Sequence, residues 1–291
     1  MKSSKVTTVI VNTFFIIFTL SVVIPFLMIV VTSISNEDDI LIHGYTLIPR
    51  RIDFTAWKLL LQDGKTIFGA LLFTLAYAVI QPALHCIVCS LTGYALSRNR
   101  FVFKGIINKF FICSMFFSGG MIPTYIITTQ WYKLGNNPAL YYVTGLFAVW
   151  NMVLFRTFFQ QIPKELIEAA EVDGATQSQV LVKILLPMSK SIFGMIYFQG
   201  VIAAWNNWST SLIYFTDDRY WTLQYILQRI IKNTEYIKQA FESVGLGNQS
   251  GIPTTVLSFA MCCLSLIPLL LLFPYVQKYF AKGMAAGSVK G

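Results

Sequence analysis

The sequence predicts an all-α, polytopic membrane protein with six transmembrane helices. Three observations carry that expectation. Of 291 residues, 55% are hydrophobic and only 12% are charged, about half the charge of an ordinary soluble domain. The apolar residues gather in runs of about 20 or more, the length that crosses a bilayer core as a helix. The runs are separated by short polar stretches, the longest cytoplasm-compatible one covering residues 160–190. The spans read as 7–33, 67–96, 110–130, 139–159, 191–215 and 254–276. They divide the chain into a first helix with an external segment, 1–66, and a transmembrane core, 67–291.

The first span follows MKSSK, which looks like the basic start of a signal peptide. The apolar run from Val6 to Ile34 is too long for a signal core and lacks an A-x-A cleavage site, so the span reads as uncleaved. An external segment comes next, opening on Glu37, Asp38 and Asp39 and continuing through Arg50 to Trp57 as a short amphipathic helix.

In the second span Pro82 is expected to kink the helix. His85 is a functional candidate simply by lying within a membrane span. No second histidine or carboxylate lies near it in sequence, which favours hydrogen-bonded packing over a relay or metal site. Gly119, Gly120 and Pro123 interrupt the third span. Irregular backbone at that depth either packs closely within protein or lines a cavity. The fourth span carries Asn151, which either bridges helices or lines a path, and Arg156, which snorkels to the near surface.

The fifth span runs into AAWNNWSTSLIYF. Trp205 lies roughly 21 Å along it at about 1.5 Å per residue, placing Trp205, Asn206, Asn207 and Trp208 in the outer half of the membrane. Aromatic residues there often form an interfacial belt. Two adjacent amides are unusual in a belt and favour a substrate path, with Trp205 and Trp208 on one side of a helix. The Asn207-Trp208-Ser209 sequon is discounted as membrane-embedded. Residues 217–253 form a second external segment, carrying Trp221, Tyr225 and Tyr236.

Charge orients the spans. The N-terminus, the 97–109 loop, the 156–190 segment and the tail carry thirteen Lys and Arg against four acids. The other side carries nine of each, so the entire net charge of +9 lies on one face. The positive-inside bias makes that face cytoplasmic, with both termini inside. It also accounts for the high pI without nucleic-acid binding.

The cytoplasmic stretch 160–190 reads QQIPKELIEAAEVDGATQSQVLVKILLPMSK. Pro163 suits the first turn of a helix, and Glu165 and Glu168 suit the positive end of its dipole. Gly174 suits a left-handed helix end. Thr176 and Gln179 make a T-x-x-Q capping box for a second helix, which Pro187 closes. The expectation is a short helix, a sharp Asp173–Gly174 turn and another short helix.

Within this stretch Glu168, Ala169, Ala170, Gly174, Ile184, Leu186 and Pro187 fill the pattern E-A-A, three residues, G, nine residues, I-x-L-P. The pattern resembles the EAA loop of bacterial ABC-importer permeases. W-N-N-W resembles the W-N-x-W/F signature of sugar permeases, and FPYVQKYFAKGMAAGSVKG resembles their C-terminal ending. FSGGMIPTY resembles the subgroup associated with oligosaccharide and polysaccharide-derived substrates. The resemblance covers the chain from about residue 70 onward.

It implies a MetI-like ABC permease fold, similar to the maltose-type permeases. The implied ATPase-coupling residues are Glu165, Glu168, Ala169, Ala170, Asp173 and Gly174. The implied partners are a second, different permease, two ATPase subunits, an extracytoplasmic solute-binding protein, membrane lipid and a carbohydrate. A permease for peptides, amino acids or ions is argued against by the W-N-N-W and C-terminal signatures. A sensory or assembly subunit that conducts nothing is argued against by the amides Asn151, Asn206 and Asn207.

The sequence carries no G-x-x-x-x-G-K-[ST] phosphate loop, so ATP is expected on the partner ATPase and no cofactor on this chain. H-E-x-x-H is absent, and His43 and His85 fall in different parts of the topology, which leaves no metal set. Cys86, Cys89, Cys113, Cys262 and Cys263 all fall in apolar spans, where Cys86-x-x-Cys89 reads as packing. The glycine spacing of GLGNQSG at 245–251 does not fit a dinucleotide site. No catalytic set emerges, and the protein is not expected to be an enzyme.

Overall fold

The computed structural model describes residues 5–62, 64–98, 101–243 and 253–288. The GLGNQSG run, the Tyr236 side chain and the side chains of the C-terminal ending from residue 272 lie outside what it describes. Among the described residues the protein is helical, with a single isolated antiparallel bridge between Ser35 and Ile52.

The helices run in order α1 (Lys5–Ser33), α2 (Glu37–His43), α3 (Thr55–Gln62), α4 (Gly64–Ser97), α5 (Lys104–Ser114) and α6 (Met121–Ile126). A wide π turn, Ile127–Trp131, extends α6. Then follow α7 (Ala139–Val143), α8 (Val149–Gln161), α9 (Lys164–Val172) and α10 (Gln177–Gln179). Another π stretch, Val180–Leu185, leads to α11 (Leu186–Met188), α12 (Lys190–Trp205), α13 (Ser209–Tyr214), α14 (Leu223–Ser243) and α15 (Thr254–Ser288).

Of the six expected spans, the first, second and sixth are the continuous helices α1, α4 and α15, each long and apolar enough to cross a membrane. The third, fourth and fifth are assembled from shorter helices. The breaks fall at 115–120, 144–148 and 206–208. Gly120 and Gly145 take positive φ in the first two.

The chain divides into two compact units. One draws on the residues up to Phe68 and on Ile226–Leu270. Here the Asn36 side chain caps α2 by accepting from the Asp38 and Asp39 N–H groups. It also donates to Asp53 at 3.2 Å. The Thr55 hydroxyl and N–H, at 2.6 and 2.8 Å, hold the Asp53 carboxyl below the usual carboxylate range. The Glu37 carboxylate accepts from the Thr255 and Val256 N–H groups at 2.9 and 2.8 Å. Those amides belong to the first turn of α15, where a negative charge is favoured.

The other unit comprises Gly69–Tyr225 and the chain from Leu271. Its core joins Cys89, Tyr94 and Leu96 of α4 to Met152, Phe155 and Phe159 of α8. Ile167 of α9, Val180 and Leu185 of the π stretch, and Ile196 of α12 complete it. The polar 160–190 stretch therefore shares one apolar core with the membrane helices.

Two close approaches hold this arrangement. A Cβ on Gly93 would lie 2.9 Å from the Met152 carbonyl oxygen and 3.0 Å from the Arg156 nitrogen. One on Gly200 would meet the Pro82 ring at 2.8 Å, so the proline expected as a kink also packs α4 against α12. Arg156 does not simply snorkel, because its guanidinium donates to Asn108 of α5.

A backbone carbonyl and amide cannot move aside as a flexible side chain can. Gly93→Ala should therefore destabilise the protein by about 1–3 kcal/mol, lowering its thermal unfolding midpoint in detergent. Gly69→Ala, with nothing within 4 Å of its Cβ position, should leave the midpoint unchanged or slightly raised.

Candidate coupling loop and substrate path

α8 ends at Gln161, and the extended pair Ile162–Pro163 turns the chain into α9. Pro163 stands one residue before the helix rather than in its first turn. Ile167 is buried beneath α9, and Ala170 packs partly against the same core. Glu165, Glu168, Ala169 and Asp173 face outward. Leu166 and Val172, not singled out in the sequence, are also exposed, at 46% and 87%. Spaced by threes with Ala169, they make an apolar stripe on the outer face of α9.

The turn forms as expected from Gly174. With φ at +81°, it lets the Ala175 N–H reach the Ala170 carbonyl at 2.9 Å and its own N–H reach that of Glu171 at 3.1 Å. These are the two bonds of a Schellman end. The Thr176–Gln179 capping box also forms, with bonds of 2.8 and 3.4 Å.

The second helix is irregular. After α10 the chain widens into the π stretch, where the Leu186 N–H bonds to the Leu181 carbonyl. A proline at 187 has no N–H for the Lys183 carbonyl and crowds it in an α-helix; a wider turn gives it room. The chain then bends by 79° into α12.

A cavity of about 490 Å³ opens beside α9, with Arg98, Phe159, Lys164, Glu168 and Glu171 in its wall. Arg98 follows the end of α4, and its Nη2 donates to Glu171 Oε1 at 2.7 Å. Gln177 Nε2 donates to the same oxygen at 2.8 Å. The Tyr94 hydroxyl donates to Gln177 Oε1 at 2.6 Å.

Asn151 bridges helices: its Nδ2 lies 2.8 Å from His85 Nε2. His85 Nδ1 lies 2.6 Å from the Gly145 carbonyl oxygen, to which Gln81 also donates at 3.1 Å. A neutral His85 protonated on Nδ1 satisfies both contacts, donating to Gly145 and accepting from Asn151. Cys89 joins the group, accepting from the Ala148 N–H at 3.5 Å. The spacing 85, 89, 93 puts these residues on one stripe of α4.

The W-N-N-W residues separate. α12 ends at Trp205, so Trp205 and Trp208 do not share one helix face as expected. Trp205 is 1% exposed. Trp208, half-buried, precedes α13. Asn206 is exposed, with Nδ2 donating to the Ile202 carbonyl at 2.9 Å.

Asn207 turns inward. Its Nδ2 donates to the Tyr77 hydroxyl and Thr210 Oγ1, both at 2.9 Å. Its Oδ1 accepts from the Thr210 N–H at 3.1 Å, and its carbonyl from Thr222 at 2.8 Å. Gln199, not anticipated from the sequence, is exposed seven residues before Asn206. Together with Ile202 and Ala203 these two amides form an open stripe along α12 and the residue that caps it. The i, i+3, i+7 pattern was the available signal.

A helical membrane protein with broken central spans and a capped EAA loop packed on the same core belongs to the class of importer permeases. The chain is a member of the binding-protein-dependent transport system inner membrane component family, whose sequence profile matches residues 2–286. It is 30% identical over 278 residues to the polygalacturonan/rhamnogalacturonan transport system permease protein YtcP of Bacillus subtilis, covering 96% of each chain. It is 26% identical to the arabinooligosaccharides transport system permease protein AraQ of Halalkalibacterium halodurans, covering 92% of this chain and 91% of the relative. The fold matches a crystal structure of a bacterial ABC transporter involved in the import of the acidic polysaccharide alginate. That match has a TM-score of 0.81 at 26% identity, over 96% of this chain and 98% of the other.

The two adjacent amides should separate in a stability measurement. Asn207→Leu strands the Tyr77 and Thr210 partners of the amide and should cost about 1–3 kcal/mol. Asn206→Leu should change the thermal midpoint in detergent little.

Proposed function

We propose that this chain is a permease subunit of an ABC importer for carbohydrate, of oligosaccharide type, and forms half of the translocation path. The observation that carries the reading is α9: a complete EAA motif presents an open apolar and acidic face, while Ile167 beneath it belongs to the core of the membrane helices. The names of the three relatives described above, each an oligosaccharide or polysaccharide system, support the substrate class.

In this reading a second, different permease completes the path and two cytoplasmic ATPase subunits bind the ATP. An extracytoplasmic binding protein delivers the solute. The chain itself holds no cofactor and catalyses no reaction. Glu165, Glu168, Ala169, Ala170, Asp173 and Gly174 form the ATPase-coupling surface, extended by Leu166 and Val172. Both termini lie on the cytoplasmic side of the bacterial plasma membrane, as the one-sided net charge of +9 supports. Residues 67–291 are the transport core.

ATP binding closes the ATPase pair, and the EAA helices follow. The spans tilt with them and the path switches its opening; hydrolysis resets it. For the path wall, the exposure of Gln199, Asn206 and half-buried Trp208 supports this side of α12. Amides at membrane depth are placed against protein or water rather than lipid. Trp205, Asn207 and Asn151, enclosed or bonded within the protein, support that wall from behind.

Gly174→Val, which forces a β-branched residue into positive φ, and Glu168→Lys should each insert normally and abolish most ATP-driven uptake in proteoliposomes with the partner subunits. Wild-type uptake in both would remove the coupling role. Gln199→Leu combined with Asn206→Leu should lower uptake roughly tenfold, the scale set by losing paired polar contacts, with the ATPase still bound. Unchanged uptake would place the path wall elsewhere.

A further inference from the structure

We propose that Arg98 and Glu171 form a clasp that passes movement of the coupling helix directly to the second span, making both positioning residues for transport. This rests on the coupling role of α9. The ion pair is 2.7 Å long, and its side chains are only 22% and 18% exposed. It does not stand alone. Glu171 also holds Gln177, Gln177 accepts from Tyr94, and the Arg98 guanidinium lies 5.9 Å from the centre of the Tyr94 ring. Two side chains from the end of α4 and two from the coupling segment thus close a ring.

The mechanical argument follows from the joints on either side. Along the chain, α9 connects to the spans through the extended Ile162–Pro163 pair in one direction. In the other it passes the Gly174 turn, a π stretch and a 79° bend. A push on α9 is partly absorbed in each of these non-α joints. The clasp bypasses them, linking α9 straight to α4, one continuous helix from Gly64 to Ser97. Glu171 sits on the flank of α9 away from its open stripe, half-buried where Glu168 is exposed. It is therefore placed to act inside the subunit rather than on the ATPase.

The test uses the complete importer reconstituted in proteoliposomes, reading uptake, ATP hydrolysis and retention of the ATPase subunits together. Arg98→Glu and Glu171→Arg should each keep the ATPase bound and hydrolysing while uptake falls roughly tenfold, within the range of allosteric couplings. The ATP used per solute rises accordingly. The double exchange, Arg98→Glu with Glu171→Arg, should restore uptake to within about threefold of wild type, because it rebuilds the attraction. Normal stoichiometry in both single variants would overturn the clasp. So would a double exchange no better than the poorer single variant, or loss of the ATPase from either, which would place these residues in docking.

If a reversed charge blocks insertion, Arg98→Gln and Glu171→Gln ask the same question, and normal ATP use per solute in both overturns the proposal. Gly174→Val is measured alongside. If it fails to transport while the clasp variants transport normally, only the clasp is refuted. If it also transports normally, the coupling role of the loop is refuted.

Discussion

At Gly93 the backbones of α4 and α8 come so close that a single methyl group would meet the Met152 carbonyl oxygen at 2.9 Å. Much of the larger unit follows from that approach. Lying flush, the stripe of α4 through His85, Cys89 and Gly93 reaches the 145–148 break and α8, and its far end delivers Tyr94 and Arg98 to the 160–190 stretch. A side chain at 93 would press the two backbones apart and strain these contacts.

The polar groups show a consistent economy. An amide, hydroxyl or imidazole in an apolar medium needs a partner, and leaving it unmet costs several kcal/mol in principle. His85 and Gln81 meet the open carbonyl of Gly145, exposed by the break in the fourth span. Asn207 does similar work at the end of the fifth, binding Tyr77 from another helix and the start of α13. Breaks in spans thus coincide with side chains that satisfy the freed backbone, as required wherever a helix is interrupted at membrane depth.

The sequence made local features legible. The six apolar stretches, the Gly174 helix end and the Thr176–Gln179 box all depend on residues close together, and composition or spacing exposes them. Partners far apart along the chain were not legible: His85 and Asn151 are separated by 66 positions, and Tyr94 and Gln177 by 83. On the sequence alone Asn151 reads either as a bridge or as a path residue, and its contact with His85 supplies the bridge. Glu171 lies one place beyond the E-A-A triplet, and its significance comes from Arg98, 73 positions away. The spacing of Trp205 and Trp208 predicts a shared face only on an unbroken helix. The end of α12 at Trp205 sends neighbouring residues in opposite directions.

The broken central spans also bear on how such a chain enters a bilayer. A translocon sorts emerging segments by apolar content and length, and α1 passes that sorting without help, none of its apolar stretch being buried within the protein. α4 and α15 also qualify on their own. The segments built from α5 with α6 and from α7 with α8 are short and interrupted, and the Gly145 carbonyl opened between α7 and α8 is met by Gln81 and His85 of α4. Biogenesis is therefore hierarchical. Self-sufficient helices partition first, and the central ones settle by docking against a surface already in place.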